Sequence, residues 1–120
     1  MMHMNIAKAS ALEIADDMGK TFSILTNQCG SVKHFAFPYG RFFHFSEVGR
    51  KAVFDAGFTT CATAERGCHI NPAAPMNGKD LCIRRDHTVL GWDMRHIMYF
   101  LINNAKNATA TNNFYPAGFK

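Results

Sequence analysis

HFAFPYGRFFHF, residues 34–45, gathers six aromatic rings, two histidines and a Pro-Tyr-Gly turn into one short stretch. Its two halves ask for different structures. Residues 32–37 read as a short strand, which Pro38 stops because it has no N–H to give to a ladder. Residues 41–45 read as a loop. The stretch is either a core strand running into a loop or the floor of a site, and its flanks decide between them.

Upstream, residues 10–13 spell S-x-x-E, a capping box in which Ser10 and Glu13 each satisfy the other's backbone donor. Ala11, Ala15, Met18, Phe22, Leu25 and Cys29 then recur at helical spacing, one apolar stripe. Gly30 stands where a left-handed C-terminal cap belongs. Downstream, Ser46 caps a second helix with Glu47 at its positive dipole end. Val48, Ala52 and Ala56 line the expected buried side of that helix, and Gly57 ends it. Residues 58–63 are threonine-rich and read as a strand. Residues 71–80 hold two prolines, a glycine and two asparagines, a loop. Residues 81–84 form another short strand. Asp93 caps a last helix that turns Ile97, Phe100 and Leu101 inward, and an Asn/Ala/Thr-rich tail from Asn103 is expected to fray. Helices alternating with short strands predict an α/β layer on a largely parallel sheet. No internal repeat is present.

The bulk properties fit that class. A chain of 120 residues with 48% hydrophobic and 18% charged residues suits one globular domain. A net charge of +4, with Arg84-Arg85 the sole arginine pair, describes a solvated face rather than a nucleic-acid stripe. No apolar run reaches transmembrane length. Residues 1–10 contain one lysine and no continuous apolar run, so no signal peptide is expected, and the compartment stays open between cytoplasm and cell envelope. The four cysteines, Cys29, Cys61, Cys68 and Cys82, form no C-x-x-C pair and read as reduced, mostly buried thiols. Cys68-His69 with Cys82 and His87 matches no structural-zinc spacing.

Residues 3–67 resemble the polysaccharide deacetylase family, the NodB-homology domain, in its FAYPYG-type branch. The likeness runs through His3, Glu13-Ile14, Gly30, the FAFPYG element at 35–40, and Ala56-Gly57-Phe58-Thr59-Thr60. FAFPYG and the downstream DAGF are specific in combination. Beyond Gly67 the likeness rests on LCIRRDH at 81–87. The resemblance implies a partial (β/α) barrel of the polysaccharide deacetylase type, with short parallel strands alternating with helices. It implies removal of acetyl groups from N- or O-acetylated carbohydrate. A divalent metal, usually zinc, lowers the pKa of its bound water and polarises the acetyl carbonyl in such chemistry.

Residue by residue, the resemblance makes His3 the second histidine of a metal-binding H-[ST]-x-x-H motif; alone, it reads equally as an exposed terminal histidine. Pro38 and Tyr39 match the family's P-Y. There the Tyr backbone N–H helps bind the oxyanion and the turn shapes the sugar pocket. His87 is the candidate general acid on the leaving group, with a solvated histidine in a strand-exit loop as its plain alternative. Trp92 offers a sugar-stacking face or a packing anchor. The family's Asp-Asp motif and first metal histidine would lie upstream of Met1, and Asp16-Asp17, inside a helix, cannot replace them. The expectation is therefore a truncated, C-terminal part of a deacetylase domain over residues 1–102, with low or no activity alone, and a tail over 103–120. Its partner would be an acetylated polysaccharide or oligosaccharide, with an exposed sheet edge open to self-association. The alternative is a non-catalytic carbohydrate-binding module built on the aromatics of 35–45.

Overall fold

A computed structural model describes residues 5–68 and 81–106 of the chain. A 3-10 turn, Ile6–Lys8, leads into helix α1, Ala11–Cys29. Strand β1, His34–Ala36, follows, then helix α2, Glu47–Asp55, strands β2, Thr60–Ala62, and β3, Leu81–Ile83, and helix α3, Met94–Lys106. Local chemistry places the helix ends. The Ser10 N–H donates to Glu13 Oε2 at 2.9 Å and the Glu13 N–H to Ser10 Oγ at 3.3 Å, completing the capping box. Gly30 closes α1 at φ +77°, a conformation that disfavours any residue with a Cβ. Ser46 Oγ accepts from the Gly49 N–H at 3.2 Å, and Asp93 Oδ1 accepts from the Arg95 N–H at 2.8 Å.

The three strands form one parallel sheet in the order β1-β2-β3. Phe35 lies opposite Cys61, and Cys61 opposite Cys82. Pairing continues past the strand ends: the Phe37 N–H donates to Ala62 O, Thr63 to Ile83 O and Arg85 to Glu65 O. The α/β class with a parallel sheet is thus observed. α1 packs on α2, and α2 on β2. The core gathers Ile6, Ile14, Met18, Phe37, Phe45, Val53, Phe58, Cys61 and Cys82. Phe37 and Phe45 stack at 3.9 Å, so the strand and the end of its loop close on each other. Among the described residues no helix is long and apolar enough to cross a membrane.

The structure corrects the helix faces. α1 buries Ile14, Met18 and Thr21, while Ala11, Ala15 and Cys29 are exposed. Seating Ile14 in the core removes more apolar area from water than seating two alanines, and the helix is rotated accordingly. α2 buries Gly49 and Val53 and leaves Val48 exposed; Ala52 and Ala56 pack at the core's margin. On α3, Leu101 is exposed, Ile97 and Phe100 are half-buried, and the polar Asn104 is buried. The helix continues through Lys106, past the expected break at Asn103. Two of the cysteines, Cys61 and Cys82, are buried. The loop at 71–80 and the tail beyond 106 lie outside the described residues.

Candidate functional site

Parallel strands all end on the same edge of a sheet, and the loops leaving that edge form the usual crevice for ligands in open α/β folds. Here three segments leave it: 37–45 after β1, 63–68 after β2 and 84–87 after β3. They carry Tyr39, Arg41, His44, Glu65, Arg66, Arg84, Arg85, Asp86 and His87.

The Pro-Tyr-Gly turn is the most constrained piece. Tyr39 has φ +60°, the one non-glycine residue in the left-handed region among the described residues. Gly40 follows at φ +64°, donating to Pro38 O at 2.7 Å and accepting from the Ala64 N–H at 2.7 Å. A Cβ on Gly40 would sit 2.5 Å from Ala64 N, so only glycine lets the two strand exits approach. The Tyr39 ring is 61% exposed, with the His44 ring 5.4 Å away. A tyrosine held in an unfavourable backbone conformation with its ring in solvent gains little from packing, and such strain gathers at functional sites.

Glu65 fastens this turn to the rest of the edge. Its carboxylate accepts from Arg41 Nη1 at 2.9 Å and from the Phe42 N–H at 2.9 Å. From β3, Arg84 lies over the Phe42 ring at 5.1 Å and donates to Arg66 O at 3.4 Å, and Arg85 Nε donates to Thr63 O at 2.9 Å. α3 is tied to the same edge. Asn104 Nδ2 donates to Asp86 Oδ2, and Asp86 Oδ1 is buried without a hydrogen-bond partner among the described residues. Arg66 sits 4.0 Å from the Phe100 ring centre. Trp92 meets Phe100 at 5.5 Å and His96 at 4.9 Å, with His87 5.8 Å from Trp92. Beside Trp92, the Arg95 side chain and then its backbone N–H hold the Asp93 carboxyl below the usual range, so the helix cap stays ionised.

Comparison with protein-family models, curated proteins and solved structures gives no match.

The residues singled out in the sequence fall into two groups on this edge. Pro38 and Tyr39 form the turn after β1. His87 and Trp92 touch each other at the exit of β3. The link between the groups runs through Glu65, Arg66 and Phe100. His3 lies outside the described residues, as does His69. Among the described residues no three His, Cys, Asp or Glu side chains converge where a metal ion could be held. These residues therefore do not by themselves build a zinc site, and no chemical step is drawn through one. Glu65 and Arg66 were not marked in the sequence. Their signal was a charged pair directly behind the threonine-rich strand, which is where a strand exit places ligand-facing side chains.

Proposed function

We propose that this chain is of the polysaccharide deacetylase type and that its strand-end loops form the sugar-facing wall of that site. The substrate class is an N- or O-acetylated carbohydrate, and the barrel type is the distorted (β/α) barrel of that family. The observation that carries this reading is the Tyr39 turn: a strained, exposed tyrosine locked against a neighbouring strand exit, within the FAFPYG element. In this role the Tyr39 backbone N–H faces the developing oxyanion, and the pocket wall is rigid because Gly40 and Ala64 hold each other. Trp92 supplies a face for a sugar ring and His87 a proton for the leaving group. A divalent metal, zinc by resemblance, would supply the activated water when bound.

Acetate release from acetylated chitin and xylan oligomers, with zinc supplied, tests the reading. Release that falls by about 100-fold in His87→Ala supports it. No release from any acetylated oligomer, with no saccharide binding, overturns it. Binding without release favours the second reading, a carbohydrate-binding module. That reading draws on the exposed rings of Tyr39 and Phe43, 61% and 72% accessible, which form a stacking surface needing no catalysis. Self-association through β1 or β3, the outer strands of the described sheet, is part of the proposal and has its own test below.

A further inference from the structure

Charge on this molecule is sorted by place. Four of its six arginines, Arg41, Arg66, Arg84 and Arg85, lie past the C-terminal ends of the strands, against Glu65 and Asp86 in the strand exits and Asp93, beside Trp92, which is paired with Arg95. Glu13, Asp16 and Asp17 ride on α1, and Glu47 and Asp55 on α2. Glu65 is engaged by Arg41 and Phe42, and Asp86 through Oδ2 by Asn104, while Asp86 Oδ1 is buried without a partner among the described residues. Arg66 and Arg85 meet no carboxylate among the described residues. Arg66 contacts the Phe100 ring instead, and Arg85 spends its Nε on the Thr63 carbonyl.

The neighbouring rings complete the picture. The centroids of Trp92, His96 and Phe100 stand 4.9, 5.5 and 5.2 Å apart, nearly an equilateral triangle. His96 and Phe100 therefore meet Trp92 from one side, His87 is a third ring neighbour at 5.8 Å, and the indole stays half-buried, with part of its surface in solvent. Trp92 and Arg66 are joined through the shared Phe100 ring, so an indole face and a guanidinium are held in fixed relation. A guanidinium offers five N–H donors in a planar fork that matches an oxyanion such as carboxylate. Side chains fixed by ring contacts lose little further freedom on binding.

We propose that the strand-end site selects an acidic saccharide: the sugar ring stacks on Trp92 and its oxyanion is held by Arg66, with Arg85 adding positive potential. This rests on the carbohydrate reading above and names its substrate class more narrowly. Isothermal titration at low salt compares tetragalacturonic acid, N-acetylchitotetraose and inorganic phosphate. The acidic tetramer is expected to bind about tenfold more tightly than the neutral one, with the gap shrinking as salt is added. Arg66→Gln removes the preference, Arg66→Lys restores part of it, and Lys51→Gln, the same charge change on α2, leaves it intact. Arg85→Gln weakens it even if Arg66→Gln proves unstable. Equal affinity for acidic and neutral tetramers overturns this inference and leaves the proposed function standing. Phosphate binding as tightly as the acidic tetramer also overturns it, since the site would then read charge alone. No binding of either saccharide overturns both.

Discussion

Tyr39 and Gly40 are neighbours with opposite reasons for being where they are. Gly40 is buried and is required by geometry, because its amide and carbonyl bridge Pro38 and Ala64. Gly40→Ala is predicted to destabilise the protein by about 2 kcal/mol, read as a lowered midpoint in chemical denaturation. Tyr39 carries strain of about 1 kcal/mol without a compensating buried ring. Tyr39→Gly should therefore leave the midpoint unchanged or raised, while saccharide binding falls. A clear loss of stability in Tyr39→Gly would mean that the ring is structural. Glu65 is the third decisive residue. Its side chain is 18% exposed and accepts from both the Arg41 guanidinium and the Phe42 amide. Glu65→Ala leaves both donors without their acceptor and should lower stability by about 2 kcal/mol. It should also broaden the amide resonances of residues 38–44.

The helices show how much local chemistry dictates. Ser46→Ala removes the acceptor for the Gly49 amide and should lower stability by about 1 kcal/mol. At α1, the Ser10 hydroxyl and then the Ser10 backbone N–H hold the Glu13 carboxyl below its ordinary value. A carboxyl depressed in the folded state adds stability above its unfolded pKa and loses it as pH falls through the lower folded value. The acid limb of stability should thus be shallower in Glu13→Gln, measured by denaturation at a series of acidic pH values. These caps were legible in the sequence because capping needs only residues three or four apart. The element order and the parallel sheet were legible for the same reason, since each strand sits between recognisable stops. The buried faces were not. The stripe through Ala11 and Ala15 has helical spacing, yet the chain buries Ile14 and Thr21, because packing against α2 and the sheet is decided by partners distant in sequence. The Glu65 bracket spans 23 and 24 residues, and no local pattern announces it. The turn at 38–40 was legible as a motif, while its left-handed tyrosine became visible only in three dimensions.

As a whole molecule, the chain places its constrained turn and four of its six arginines at the strand ends, while five of its nine acidic residues ride on the first two helices. The described sheet has β1 and β3 on the outside, each paired on one side, and Ile83 on β3 is 36% exposed. An apolar edge of this kind predicts concentration-dependent association, visible by sedimentation velocity, and Ile83→Lys should reduce it. The central claim concerns the opposite feature, the strand-end edge as a carbohydrate site. Titration of the isotope-labelled protein with N-acetylchitotetraose, followed by amide NMR, tests it most directly. The account predicts shifts concentrated in residues 37–45, 63–68 and 84–92, with the Trp92 indole among the largest. Shifts confined to α1 and α2, or none at millimolar saccharide, would contradict it.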